Sequence, residues 1–215
     1  MQPSVFVVDE DVAVRDGLKE MLEAHAFHVT EFATAEEFIE RYRPEQPGCL
    51  LLDLQLPGMS GTQLQDELLA RNIKVPIIFL SGNGDIGSSV RALKSGAVDF
   101  LEKPPEKDVL LERLRAALAI DSQQRLKAVA CQEIRERFAT VTARERDVMV
   151  LLIEGRSNKD IARRLQISHR TVEVHRRRIL RKMDARSVFD MAKAARSCDL
   201  FPEYAEPHEP SQTQA

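Results

Sequence analysis

The 215-residue sequence has no tryptophan, only three cysteines and no long apolar run. No stretch approaches the roughly 20 apolar residues that a membrane-spanning helix needs, and the N-terminus has no basic segment followed by a long apolar one. We therefore expect a cytoplasmic protein with no membrane partner. The cysteines, Cys49, Cys131 and Cys198, are far apart in sequence, form no CxxC pair and are odd in number, so we expect reduced thiols.

The charges are distributed unevenly. Residues 1–121 carry 12 Lys and Arg against 21 Asp and Glu, whereas residues 122–215 carry 19 against 13, so the net charges are −9 and +6 within a total of −3. The length exceeds the common single-domain size of roughly 100–200 residues. We expect two compact units, one that handles metal or phosphate chemistry and one that binds a polyanion.

Residues 49–61, CLLLDLQLPGMSG, stand out in the acidic half. An apolar run, typical of a strand buried on both faces, carries Asp53 near its end and then breaks into a turn. In an open parallel sheet, ligands bind outside the carboxyl ends of the strands, so Asp53 is placed for chemistry. The alternative is an aspartate that caps the next helix, and its partners elsewhere in the sequence decide between the two.

Short apolar runs alternate with helical patterns in the first 120 residues. Besides the Asp53 strand, strands are predicted over residues 5–8, 28–32, 75–80 and 98–101. This alternation predicts an α/β doubly wound, five-stranded parallel sheet with right-handed crossovers. From Asp108 the pattern stays helical with no Gly or Pro before Gly155, which predicts a stiff helical linker. A helix-pairing seam is the alternative, although a polar break at residues 121–124 argues against a continuous coiled coil.

The predicted strand ends bring polar side chains together around Asp53. Clustered carboxylates need a hard cation, which predicts a magnesium site. The Asp53 carboxylate can then attack a phosphorus centre. Lys103 would pair with the new phosphoryl group, and Ser81 would donate a hydrogen bond to it. The cluster comprises Asp9, Glu10, Asp53, Ser81 and Lys103.

Four separated motifs give residues 1 to about 120 a resemblance to the receiver domain of bacterial response regulators: VVDE at 7–10, LLLDLQLPGMSG at 50–61, Ser81, and FLEKPP at 100–105. The resemblance implies that Asp53 accepts phosphate from a sensor histidine kinase. It implies that Ser81 and Phe100 move as a switch, and that the Lys103-Pro104 bond is cis. It also implies Mg²⁺ or Mn²⁺ held by Asp9, Glu10, Asp53 and the backbone carbonyl of Gln55.

Two positions depart from the family pattern. The family usually has two adjacent aspartates where this chain has Asp9 and Glu10. Glutamate is one methylene longer, so either the metal is bound differently or Asp11 supplies a ligand. Phe100 replaces the common tyrosine, which removes a hydroxyl but keeps the ring. A receiver fold with an inactive site is the alternative reading.

The basic half has the pattern of a helix-turn-helix. Thr142 opens a helix with a capping box, Ser157 opens a short one, Ser168 caps a long basic one, and Ser187 caps a fourth. On the long helix, arginine offers a bidentate fork to guanine or phosphate, and glutamate can accept from a cytosine amine. A solvated charged face is the alternative. Apolar residues such as Val172 lie near one face, and the other face carries Arg170, Glu173, Val174 and Arg177.

Residues 141–186 resemble the LuxR-type helix-turn-helix of the NarL/FixJ class of response regulators, through VTARERDVMVLLIEGRSNKDIARRLQISHRTVEVHRRRILRKMDARS. Members of the class bind DNA as dimers through the last helix, here about residues 187–197. The resemblance implies base contacts from Glu173, Val174 and Arg177, with His169 and Arg170 as helpers. It implies phosphate contacts from Asn158, Lys159, Thr171, Arg176 and Lys182.

The interpretation is a FixJ-like response regulator: a transcription factor whose dimerisation and binding to double-stranded promoter DNA depend on phosphorylation of Asp53. RNA polymerase is an expected partner. Residues 1–120 are assigned to the receiver domain, 121–138 to a helical linker, 139–200 to an all-α, four-helix DNA-binding domain, and 201–215 to a disordered tail.

Two other classes of function stay open. A magnesium-dependent phosphatase with an Asp53 nucleophile would want a general-acid carboxylate two residues later, where the chain has Gln55. A DNA-binding regulator that works without phosphorylation, with a degenerate receiver, is favoured by Glu10 alone.

Overall fold

The computed structural model describes residues 2–82 and 86–201, with backbone alone at residues 86–89. The chain forms two units, Met1–Arg125 and Leu126–Ala215. The first unit is built around five parallel strands in the order β2-β1-β3-β4-β5. This confirms the doubly wound sheet. Its elements are β1 (Ser4–Val8), α1 (Val12–Glu23), β2 (His28–Phe32), α2 (Ala35–Arg41), β3 (Gly48–Asp53), α3 (Gly61–Ala70), β4 (Ile77–Ser81), α4 (Ile86–Lys94), β5 (Asp99–Glu102) and the start of α5 (Lys107–Ala139).

The three central strands, β1, β3 and β4, are buried along their whole length. Successive strand residues point to opposite faces, so Leu50 and Leu52 join one apolar cluster while Leu51 joins the other. Each fully buried leucine contributes about 2 kcal/mol relative to an exposed one. The two apolar layers thereby fix the register of β3, and with it the position of Asp53 at the edge formed by the carboxyl ends of the strands.

Helix α5 is continuous from Lys107 to Ala139, so the polar stretch after Ile120 does not break it. Asp121, the first residue of the predicted linker, is 2% exposed and accepts a hydrogen bond from the backbone N–H of Gly48, at 3.0 Å. Arg125 pairs with Asp121 at 2.8 Å. Its guanidinium also donates to the carbonyls of residues 44, 45 and 46. These contacts place residues 121–125 with the sheet unit.

The second unit contains the rest of α5 and four further helices, α6 (Ala143–Ile153), α7 (Asn158–Leu165), α8 (His169–Lys182) and α9 (Val188–Ser197). Each predicted capping residue begins its helix, and Thr142 makes a full capping box with Glu145. The turn between α7 and α8 bends at Gln166, which has left-handed backbone geometry. The predicted helix-turn-helix is therefore present.

The cysteine prediction is wrong for two of the three residues. Cys131 on α5 and Cys198 after α9 form a disulfide across a sequence separation of 67. The sequence could not show this pair, because the two residues meet only when α9 packs against the end of α5. Cys49 is a free, buried thiol, as expected. Burial, with a smaller effect of the Asp121 charge, raises its pKa to about 12.

Smaller differences lie at segment ends. Strand β4 begins at Ile77, two residues later than predicted, and β5 spans Asp99–Glu102 rather than 98–101. Phe201, the first residue of the predicted tail, packs against the second unit, with its ring 5.2 Å from that of Phe138. The rest of the predicted tail, residues 202–215, lies outside the described residues. Within the described part of the chain, no helix has the length and apolar character to span a membrane.

The Asp121 contacts predict a stability effect far from the acidic edge of the sheet. Replacing Asp121 by Ala should lower the free energy of unfolding of the sheet unit by about 2–3 kcal/mol, because the Gly48 N–H and the Arg125 guanidinium lose their shared acceptor. Urea unfolding of the full chain, followed by circular dichroism, measures this. Gln123→Ala on the exposed face of the same helix is the matched control and should leave the midpoint unchanged. Equal midpoints for the two variants would contradict the prediction.

Candidate functional site

The register of the parallel sheet brings the predicted acidic residues to one edge. Val8 pairs with Leu52, so Asp9 and Asp53 follow side by side at the ends of β1 and β3. Asp53 pairs with Leu80, which places Ser81 one step further along β4. Asp9, Asp53 and Ser81 are at most 5% exposed. The predicted convergence at the carboxyl edge is therefore present.

The Lys103 ammonium group lies between the two buried carboxylates. Its Nζ is 2.6 Å from Asp9 Oδ2 and 2.7 Å from Asp53 Oδ2. Burial disfavours the charged amine, but hydrogen bonds to Asp53 and Asp9, reinforced by their charges, outweigh this and raise the pKa of Lys103. The lysine therefore stays protonated and offsets part of the negative charge of the two carboxylates.

Backbone groups fix the other oxygen of each carboxylate. Asp53 Oδ1 accepts from the N–H of Gln55, and Asp9 Oδ1 accepts from the N–H of Asp11, both at 3.0 Å. Gly61 approaches so closely that a Cβ there would lie 2.2 Å from the carbonyl oxygen of Asp53. The Ser-Gly turn after β3 therefore needs glycine at this position.

Glu10 is exposed at the rim of this edge. Desolvation, followed by the charges of Asp53 and Asp9, raises the pKa of the Glu10 carboxyl. Three carboxylates, those of Asp9, Glu10 and Asp53, therefore lie at this end of the sheet, and a hard divalent cation prefers such oxygen ligands. Across residues 2–82 and 86–201, however, no three acidic, histidine or cysteine side chains are arranged as a ready metal-binding group. Lys103 holds the space between two of the predicted ligands.

Two further predicted residues take defined positions. Asp11, the alternative metal ligand, caps α1 by accepting from the N–H groups of Ala13 and Val14, so its carboxylate is already engaged. Phe100 on β5 is half-buried against the core, with its ring 6.5 Å from that of Phe79. Sequence reasoning missed Arg15, whose guanidinium donates to the Asp9 carbonyl at 2.6 Å and holds the acidic loop. The available signal was the position of Arg15 in the first turns of α1, six residues after Asp9.

Helix α8 buries Val172 and Ile179 and exposes a basic face. Arg170, Arg176 and Arg177 are exposed, and none of the three forms an ion pair with any side chain that the structure describes. Lys159, Glu173 and His169 are exposed as well, whereas Asn158, Thr171 and Val174 are half-buried. The Thr171 hydroxyl lies 2.8 Å from that of Ser168, and the His169 ring lies 3.6 Å from the Glu173 carboxylate.

Lys182 is the exception among the predicted DNA-contacting residues. Its amino group donates to Glu145 Oε2 at 2.6 Å and to the Thr140 carbonyl at 2.8 Å, inside the second unit. Burial alone would raise the pKa of Glu145, but hydrogen bonds from Lys182 and Thr142 lower it to about 2. This geometry speaks against the predicted phosphate contact of Lys182. Lys182 is engaged in this way because the end of α8 packs against the capping box of α6.

Each half of the chain matches a known protein family. Residues 5–115 match the receiver domain of response regulators, and residues 139–195 match bacterial regulatory proteins of the luxR family. Nodulation protein W of Bradyrhizobium diazoefficiens is 37% identical, covering 94% of this chain and 89% of its own. Transcriptional regulatory protein FixJ of the same organism is 38% identical, covering 89% and 93%. The solved structure of the response regulator StyR is 41% identical, covers 91% and 98%, and has a TM-score of 0.76.

The buried Glu145 predicts how the second unit responds to acid. Since the folded-state pKa lies below the unfolded value near 4.5, its stabilisation is present above pH 4.5 and is lost as pH falls toward 2. The difference corresponds to about 3 kcal/mol. Glu145→Gln should flatten this part of the stability curve, as measured by urea unfolding between pH 5 and pH 2.5. Glu133→Gln, at an exposed position, is the control and should keep the wild-type slope.

Proposed function

Because the chain belongs to the response regulators that join a receiver domain to a LuxR-type DNA-binding domain, we propose that Asp53 is the residue through which phosphorylation controls it. The chain is a phosphorylation-controlled transcription factor, and relatives that match most of its length are named response regulators or transcriptional regulatory proteins. The observation that carries the assignment to Asp53 is the Lys103 ammonium, which neutralises a buried aspartate at the carboxyl edge of the sheet.

In this proposal an Asp53 carboxylate oxygen attacks the phosphorus of a phosphohistidine on a sensor kinase. The new O–P bond forms as the P–N bond breaks, and the imidazole leaves with the electron pair of the broken bond. Lys103, already 2.7 Å from Asp53, pairs with the added charge. The Ser81 hydroxyl donates a hydrogen bond to a phosphoryl oxygen.

We assign the metal site to Asp9, Glu10, Asp53 and the carbonyl of Gln55, with Mg²⁺ as the preferred ion and Mn²⁺ as a substitute. The oxygen donor set supports this assignment, since Asp9 and Asp53 are buried side by side at the strand ends and Glu10 lies at their rim. A bound divalent cation supplies positive charge to the carboxylates and the phosphoryl oxygens. Lys103 has to withdraw from one carboxylate to make room, since it now lies within 2.7 Å of both.

The phosphorylated form is proposed to switch through Ser81 and Phe100 and to bind promoter DNA as a homodimer. Phe100 packs beside Phe79 and is only half-buried, so its ring is not locked inside the core, which supports this role. Dimerisation would align two α8 helices on a two-fold site. RNA polymerase is the expected next partner, and the cytoplasm is the expected compartment.

The side chain at position 55 argues against turnover. Gln55, two residues after the nucleophile, is exposed and carries an amide, which cannot act as a general acid or base near neutral pH. We therefore propose that the chain holds its phosphoryl group as a signal and is not an enzyme.

DNA reading is assigned to the exposed face of α8. Arg177 and Glu173 lie one turn apart and can reach base edges, with Val174 between them and His169 and Arg170 as helpers. Lys159, at the start of α7, is exposed and suits a phosphate contact. The remaining phosphate contacts are assigned to Asn158, Thr171 and Arg176, without Lys182.

The phosphoacceptor assignment predicts that Asp53→Asn abolishes phosphorylation. Acetyl phosphate with Mg²⁺ should add one phosphoryl group to the wild-type protein and none to the variant, because an amide is not a nucleophile at neutral pH. Intact-protein mass spectrometry measures the addition. Asp66→Asn, at an exposed position on α3, is the matched control. Undiminished addition to Asp53→Asn would refute the assignment.

The base and phosphate assignments predict different losses of DNA binding. Arg177→Ala should cost about 1–3 kcal/mol on the target duplex and little on a scrambled one, which relaxes sequence preference. Lys159→Ala should weaken both duplexes alike and reduce the salt slope by about 1. Fluorescence anisotropy across a salt series, with phosphorylated protein, measures both. An Arg177→Ala variant with unchanged preference would overturn the base assignment.

A further inference from the structure

A covalent link closes the second unit where α5 meets the end of α9. Cys131 and Cys198 form a disulfide, with their Cα atoms 5.2 Å apart. Other contacts also hold α5 against the rest of the second unit near this bond. The Arg135 guanidinium donates to the Cys198 carbonyl at 3.3 Å, and Ile134 packs against the apolar core of the unit. The two cysteines are therefore held together by packing as well as by the bond, so reduced thiols would remain neighbours.

The two cysteines differ in exposure. Both line an open cleft of about 580 Å³, but Cys198 is only 2% exposed, whereas Cys131 is half-buried. Lys127 and Lys193 line the same cleft, together with one acid, Asp190. The thiolate is the form of a cysteine that reacts with disulfides, and it forms where small molecules and water can reach the sulfur. Cys131 is thus the sulfur that a small thiol or disulfide can reach first.

We propose that Cys131 and Cys198 are a reversible thiol–disulfide site whose state follows the low-molecular-weight thiol buffer of the cell. This goes beyond the control by phosphorylation proposed above. Proteins that act on DNA work where glutathione and thioredoxin keep most thiols reduced, and disulfides there are usually transient and redox-sensing. In such reducing surroundings we expect a disulfide that opens and closes rather than a permanent structural bond.

The chemistry balances with one equivalent of a small disulfide such as oxidised glutathione. The Cys131 thiolate attacks one sulfur of that disulfide, forms a mixed disulfide and releases one small thiolate. The Cys198 thiol loses its proton and attacks the Cys131 sulfur, which releases the second small thiol. Two protein thiols are oxidised and one small disulfide is reduced to two thiols. Reduction follows the reverse path and begins at Cys131.

The bond should change the stability of the unit that contains the DNA-binding helices. It closes a loop over a sequence separation of 67, which includes all of α6, α7, α8 and α9. A cross-link over a loop of this length mainly restricts the unfolded chain. Oxidation should therefore raise the thermal midpoint of this unit by on the order of 10 °C.

The test equilibrates the full-length protein with reduced and oxidised glutathione at a series of ratios. Acid quenching, denaturation and alkylation of the remaining thiols, followed by intact mass, count them. Two of the three thiols should disappear together within the range of ratios found in cells, which leaves the buried Cys49 as the one free thiol. The thermal midpoint of each sample should follow the count. Cys131→Ser should lose both effects, whereas Cys49→Ala, with the pair intact, should keep them.

Three outcomes would overturn the proposal. Three free thiols at the most oxidising ratio would show that the pair does not close. A disulfide that persists at the most reducing ratio would show a permanent structural bond. A stable glutathione adduct on Cys131 would show that Cys198 does not complete the exchange. None of these readouts uses DNA or phosphorylation, so they are independent of the assignments to Asp53 and α8.

Discussion

The carboxyl edge of the sheet depends on one ammonium group between two buried carboxylates. Asp53 ends one central strand and Asp9 follows another, and burying two carboxylates without a nearby cation is costly. Lys103 comes from the segment after β5, an edge strand that is only partly buried. Charge balance therefore ties the buried centre of the sheet to the segment that follows a partly buried edge strand. A change of charge at Asp53 acts on that segment through Lys103.

Phosphorylation would change that balance in a defined way. The Asp53 carboxylate carries one negative charge, and its acyl phosphate would carry about two at neutral pH. Lys103 would then shift toward the phosphoryl group, and the segment that follows β5 would move with it. Phe100 lies on β5 itself, and helix α5 begins at Lys107, four residues after Lys103. Phe100 and Lys103 therefore lie only a few residues before the helix that leads out of the sheet unit.

Local patterns were sufficient for most of the fold and for the acidic site. Apolar runs and capping residues such as Thr142 and Ser168 act within a few residues, so each strand and helix could be predicted from its own segment. Three contacts could not: Gly48 with Asp121, Glu145 with Lys182, and Cys131 with Cys198. Their partners are 73, 37 and 67 residues apart in sequence. Such pairs depend on how helices pack, and no periodicity in the sequence predicts them.

The pairing of Lys182 shows why positive charge alone overstates a DNA-binding surface. Sequence composition treats the basic residues of α8 as equivalent, yet its arginines face solvent while Lys182 neutralises a buried acid. Burying the Glu145 carboxylate is costly unless a cation pairs with it. Lys182 supplies that cation, so its charge is already used within the fold and is less available to a DNA phosphate. The same unit carries a disulfide and is small, and small domains have little core to spare. Specific links, the Glu145–Lys182 pair and the Cys131–Cys198 disulfide, therefore add to the small apolar core of this unit.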